Sequence, residues 1–123
     1  MIQKHSELLF KDLCARLPYG VKVKMKYYDD AYELLAIYKN GTTYAARDIG
    51  YPIETFFEDC KPYLFPLSSM TDEQKDIFGK LWWNAHGVNM AMHAIDYLNK
   101  NHFDYRGLIG KGLAIDATGS NIY

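Results

Sequence analysis

The sequence holds little of what usually betrays a function at once. Its two cysteines, Cys14 and Cys60, are too few for a disulfide framework and lack metal-ligand spacing, so they are expected to be two reduced, buried structural thiols in a reducing compartment. Charge of one sign is not in excess either: fourteen basic against fifteen acidic residues give a net charge of -1, and no global field draws the chain to nucleic acid or to an anionic membrane. Long apolar runs are missing. The opening MIQKHSELLFKDL scatters charges through its length and reads as neither a signal peptide nor a membrane span, which makes the cytoplasm the expected location. There are no internal repeats and no low-complexity segments.

What is present is an ordinary globular composition, 49% hydrophobic and 24% charged, in 123 residues. That length supports one domain over residues 1–123 and leaves no room for a second. A first helix is expected over Gln3 to Arg16, with Ile2, Leu9, Leu13 and Leu17 on its apolar side beside Phe10 and Cys14, and Lys4, Glu7 and Lys11 opposite. Pro18 and Gly20 stop it.

The clearest pattern is VKVKMKY, Val21 to Tyr27, whose alternation puts Val21, Val23, Met25 and Tyr27 on one strand face and Lys22, Lys24 and Lys26 on the other. Asp29-Asp30 is a turn, Tyr32 to Lys39 a second strand, and Asn40-Gly41 a hairpin signal leading into a third strand over Thr42 to Arg47. Two-residue loops at both turns pair Ile37 with Tyr44 and Met25 with Leu34, and set Lys26 against Glu33. In that register Leu34, Ala36, Tyr38 and Ala45 join the core face, and Leu35, Ile37, Tyr44 and Ala46 make the second face partly apolar, so the middle strand is expected to be covered on both sides.

Beyond Gly50 the spacing suggests a short helix over Ile53 to Asp59. Thr71-Asp-Glu-Gln74 is a capping box that starts a helix ending near Trp83. A last long helix spans Ala85 to Lys100, burying Val88, Ala91, Met92, Ile95 and Leu98 and exposing Asn89, His93, Asp96 and Lys100. The glycine-rich remainder holds a turn of helix started by Asp104, an extended piece near Leu113 to Ile115 and a polar end. Together these elements specify an α+β fold: an N-terminal helix, a three-stranded antiparallel meander, then two to three helices packed on the sheet.

Three segments, LCARLPYGVKVK (Leu13 to Lys24), CKPYLFPLSSMT (Cys60 to Thr71) and LNKNHFDYRGLIGKGLAIDATGSNIY (Leu98 to Tyr123), cover about half the chain. In these the chain resembles a family of short uncharacterised proteins that recur in the genomes of gut anaerobes and of their phages and mobile elements. The resemblance implies the context of a phage or mobile-element accessory protein. It carries no activity to transfer, and it singles out His102, Phe103, Asp104, Tyr105 and Arg106 for attention.

The chemical constellations each have a plainer alternative. His102, Asp104 and Arg106 form the densest polar group and are the candidate catalytic set of a small hydrolase or nuclease. Equally, Asp104 can cap the next turn, Arg106 pair with a carboxylate and His102 satisfy a carbonyl at the helix end. His86 and His93 lie two turns apart, too far for the i, i+4 ligand pair of a metal helix, and His93 with Asp96 reads as a solvated pair; no metal and no cofactor are expected.

Lys111 is followed by Gly112 where a Walker loop needs Ser or Thr, and GLIG puts Leu108 and Ile109 where an RNA clamp wants small or basic residues. Lys22, Lys24 and Lys26 could track a phosphate backbone, which keeps a nucleotide or nucleic-acid binder as an alternative. A lysine row more often guards an edge strand, and the balanced charge favours that role.

The aromatic load is harder to absorb. Eleven tyrosines and the Trp82-Trp83 pair exceed what a core of this size needs, and adjacent helical residues cannot both face one core. The expectation is a non-enzymatic binding protein of phage or mobile-element origin acting through an aromatic surface on a host protein such as a defence component, on itself, or on a small ligand, with Trp82, Trp83, Tyr105, Arg106 and the three lysines as candidate contacts. With the third strand left as an unguarded edge, a symmetric homodimer is expected.

Overall fold

The computed structural model describes residues 2–47, 50–83 and 88–123. Helix α1 (Gln3–Arg16) runs into a 3-10 turn at Leu17–Tyr19, where Pro18 removes a backbone donor and Gly20 adopts φ 69°. Then come β1 (Lys22–Met25), β2 (Ala31–Ile37), β3 (Thr42–Ala46), β4 (Ile53–Phe56) and β5 (Cys60–Pro66). Helices α2 (Asp72–Trp83) and α3 (Val88–Lys100) follow, and the two-residue strands β6 (Phe103–Asp104) and β7 (Ile115–Asp116) close the chain.

The architecture is α+β, as the sequence implies, with a larger sheet than the meander it suggests. Seven strands are ordered β4-β3-β2-β1-β5-β6, with β7 also pairing β5. The first five pair antiparallel, whereas β6 and β7 run parallel to β5. Leu9 and Leu13 of α1 pack on Val21, Val23, Met25, Leu34, Ala45 and Cys60, which form the main core. Cys60 is buried as expected, but Cys14 is exposed, so the apolar stripe of α1 is narrower than its sequence pattern.

The register differs from the two-residue-loop expectation. Tyr38 pairs back to Thr42 around a three-residue loop, Lys39 to Gly41, in which the Asn40 side chain accepts from the Thr42 amide and Gly41 takes φ 95°. A bulge at Leu35 then shifts the ladder, so Ile37 faces Thr43, Ala36 faces Tyr44 and Leu34 faces Ala45. Lys22, not Lys26, lies opposite Glu33, and Met25 pairs with Cys60. The bulge puts Ile37 on the core side with Leu34, and leaves Leu35 half exposed on a face that is not covered.

Two strands stand where the sequence suggests otherwise. The stretch read as a helix from Ile53 to Asp59 is β4 followed by a 3-10 turn at Phe57–Asp59. Pairing with β3 overrides the local helical spacing and removes the open edge expected at Thr42 to Arg47. Strand β5 contains Pro62 and Pro66, which argue against a strand. Pro62 is tolerated because Asp59, Lys61 and Tyr63 turn their backbone groups to the β1 side and Pro62 points its missing donor to the other edge, while further along the Phe65 amide donates to the His102 carbonyl.

The capping box is present in both directions: the Thr71 amide donates to Gln74 Oε1 at 2.9 Å and the Gln74 amide to Thr71 Oγ1 at 3.1 Å. In α3, Ala94 and Leu98 are buried, whereas Met92, expected inside, is 55% exposed. The expected start of this helix at Ala85 and the candidate ligand His86 lie outside the described residues. Met70, Leu98 and Phe103 form a second core with Phe65, Phe78 and Ile95 around it.

Candidate functional site

The end of α3 and the strand after it carry the residues that the sequence marks as candidate chemistry. Asp104 is buried, and its two carboxylate oxygens accept from the Leu108 and Ile109 amides, both at 2.9 Å. A carboxylate so engaged caps a turn and has no oxygen turned to a substrate. Arg106 reaches Asp12 of α1, donating from Nη1 to Oδ1 at 2.8 Å and also to the Tyr105 hydroxyl at 2.9 Å. The set His102, Asp104 and Arg106 therefore does not converge: each side chain has its own neighbours.

Asp12 is the hub, fully buried, with its second oxygen accepting from Arg16 Nε at 2.9 Å. Arg16 is fully buried too, and its Nη2 donates to the Phe103 carbonyl at 2.6 Å. Tyr105 lies beneath both guanidinium groups, 5.2 Å from that of Arg16 and 4.6 Å from that of Arg106, and donates its hydroxyl to Asn99 Oδ1 at 2.8 Å. One carboxylate shared by two arginines and a stacked tyrosine tie α1 to α3 and β6. Asp12 and Arg16 stand at i, i+4, so the pair is legible in the sequence, but its burial is not.

His102 makes no bond to the helix-end carbonyls through its ring. Its backbone takes φ 61° as the chain leaves α3, with the amide donating to the Asn99 carbonyl. The imidazole stacks on the Tyr123 ring at 3.7 Å and 12°, and Nδ1 is buried without a hydrogen-bond partner. Burial, then the Arg16 and Lys22 charges, pushes its pKa down to about 4, so the ring is neutral at pH 7. Burial also raises the Tyr123 hydroxyl well above its ordinary range.

Tyr123 is the residue that sequence reasoning missed altogether. Its hydroxyl accepts from the Lys22 amide at 2.9 Å and donates to the Tyr63 carbonyl at 2.8 Å, filling the rung where β1 and β5 part. Its ring and that of His102 bound a hollow of about 370 Å³ with Phe65, Lys100, Asn101 and Thr118.

The lysine row is not an edge guard, since β1 lies between β2 and β5. Lys22 Nζ donates to the Ile122 carbonyl at 2.8 Å and Lys24 Nζ to the Tyr28 carbonyl at 2.8 Å, while Lys26 lies outside the strand over the Tyr27 ring. The ammonium groups thus bind the chain itself rather than forming one continuous stripe. Burial raises both cysteine thiols, so neither is a ready thiolate. Among the described residues no three His, Cys, Asp or Glu side chains gather as metal ligands, and no helix is long and apolar enough to cross a membrane.

The tryptophans lie at the end of α2, a helix without a single buried residue. Trp82 stacks on Phe78 at 6.2 Å and stays 49% exposed, and Trp83 is 83% exposed. Ile77 on the same helix and Met92 on α3 are also exposed. No protein family, curated protein or solved structure matches the chain.

Proposed function

We propose that this chain is a non-enzymatic interaction protein that docks a protein partner through the exposed apolar side chains of α2 and Met92 of α3. The observation that carries this reading is that α2 leaves Ile77, Trp82 and Trp83 exposed, while only Phe78 and Leu81 of its apolar residues are half-buried. Exposed tryptophans next to one another are the composition of an interface core. The expected first occupant is a second copy of the chain in a two-fold pair. The resemblance to proteins of phages and mobile elements adds a host component, such as a defence protein, as the target of the same surface. The engagement of Asp104 and Arg106 by their own chain weighs against the hydrolase reading, and the internal position of β1 weighs against the nucleic-acid reading.

Sedimentation at micromolar concentration, with a Trp82→Ala/Trp83→Ala double variant beside the parent, tests the proposal. The expected result is a dimer that the double substitution returns to monomer with its circular dichroism unchanged. A parent that stays near 14.2 kDa at all concentrations, and captures no partner that the double variant loses, would refute it.

A further inference from the structure

We propose that the hollow between the end of α3 and Tyr123 is a binding site for a small organic anion carrying a flat ring, which Lys100 engages by charge and Phe65 and Tyr123 by their faces.

The volume, about 370 Å³, is that of a small-molecule pocket, and its walls come from three separate parts of the chain. Phe65 and Ser69 stand at the end of β5, Lys100, Asn101 and His102 at the end of α3, and Thr118 and Tyr123 in the last stretch. Aromatic faces dominate the apolar part: Phe65 is 6.0 Å from Tyr123 between centroids, and His102 backs Tyr123 at 3.7 Å. A planar ligand ring extends that stack.

Among the described residues Lys100 brings the one ionised side chain of the wall; it is exposed and makes no ion pair among them, and the nearby Asp116 carboxylate is taken up by the Thr118 amide and hydroxyl. Behind the wall Arg16 and Lys22 lie close enough to disfavour a proton on His102. By contrast the larger hollow beside Lys24, Lys26 and Lys61 includes Glu58 and Asp59, which offset its lysines.

His102 is the second, independent observation. It is 92% buried by its 8% exposure, holds a left-handed backbone and keeps a ring nitrogen without a partner.

The test is a titration followed by amide shifts in nitrogen-15 spectra of the full chain, with four probes: adenosine monophosphate, 4-hydroxybenzoate, adenosine and inorganic phosphate. The first two carry both ring and anion, as phosphate ester and carboxylate. The expected result is saturable shifts at residues 100–102 and 117–123 with at least one of them, and affinity weakened about tenfold by Lys100→Ala, an exposed site whose loss spares the fold. The inference is overturned if neither ring-bearing anion moves these amides at several millimolar, if adenosine and phosphate bind as well as the combined ligands, or if Lys100→Ala leaves the affinity unchanged. A Trp82→Ala/Trp83→Ala protein that still binds separates this site from the docking surface.

Discussion

His102 shows how much one residue's environment can decide. With a pKa of about 4 in the fold against 6.5 for the free side chain, it binds a proton in the unfolded chain at a pH where the folded chain does not. Its contribution is therefore complete above pH 6.5 and is lost as pH falls from there to about 4, a loss of about 3 kcal/mol. Urea unfolding of the parent and of His102→Asn, which keeps the left-handed backbone accessible, should give curves that converge on acidification; equal slopes would refute the assignment. Asp12 makes the complementary case. Asp12→Ala strands two arginines, one fully buried, and is expected to cost about 3–5 kcal/mol, whereas Arg106→Ala leaves the Asp12–Arg16 pair intact and should cost about 1–2 kcal/mol. Similar losses from both would show that Asp12 is not the hub. The expected pairing of Arg106 with a carboxylate is present, but its partner Asp12 was not legible because the contact joins residues 94 positions apart, nor was the burial of Asp12 with Arg16. Capping by Asp104 was legible, since it needs only local geometry.

At the scale of elements, local signals were reliable and pairing was not. The end of α1 at Pro18 and Gly20, the alternation of β1 and the capping box at Thr71 follow from contacts within a few residues, and the structure has all three. The register of β2 and β3 depends on one bulge at Leu35 that no residue type announces, and β4 is a strand because β3 offers it an edge. Gly41 joins the two levels. It supplies the positive φ of the hairpin, and a Cβ there would run into the Phe56 ring that β4 brings across it. Gly41→Ala is therefore expected to cost more than about 2 kcal/mol, beyond the usual cost of a glycine in a turn, measured by thermal or urea unfolding. Adding Phe56→Ala should restore part of the loss, because the clash is with that ring. A double variant no better than Gly41→Ala would place the whole cost in the backbone conformation.

Across the whole molecule, three separate stretches of the chain, residues 13–24, 60–71 and 98–123, meet around one side chain. Tyr123 donates to Tyr63 in the second segment, accepts from Lys22 in the first and stacks on His102 in the third. The strands β1 and β5 separate at this point, and Lys22 Nζ holds the Ile122 carbonyl beside it, so the hydroxyl does the work of a missing backbone rung. Tyr123→Phe keeps the ring and its stack while leaving the Lys22 amide and the Tyr63 carbonyl without this partner, an expected loss of about 1–3 kcal/mol in urea unfolding. Tyr123→Leu removes the stack as well and should cost more. The local readout is hydrogen exchange at the Lys22 amide, which should quicken in Tyr123→Phe while the Lys24 amide, inside the ladder with Lys61, keeps its protection. An unchanged Lys22 amide would mean that β1 and β5 close the rung directly when the hydroxyl is gone, and that the last residues lie on the sheet rather than completing it.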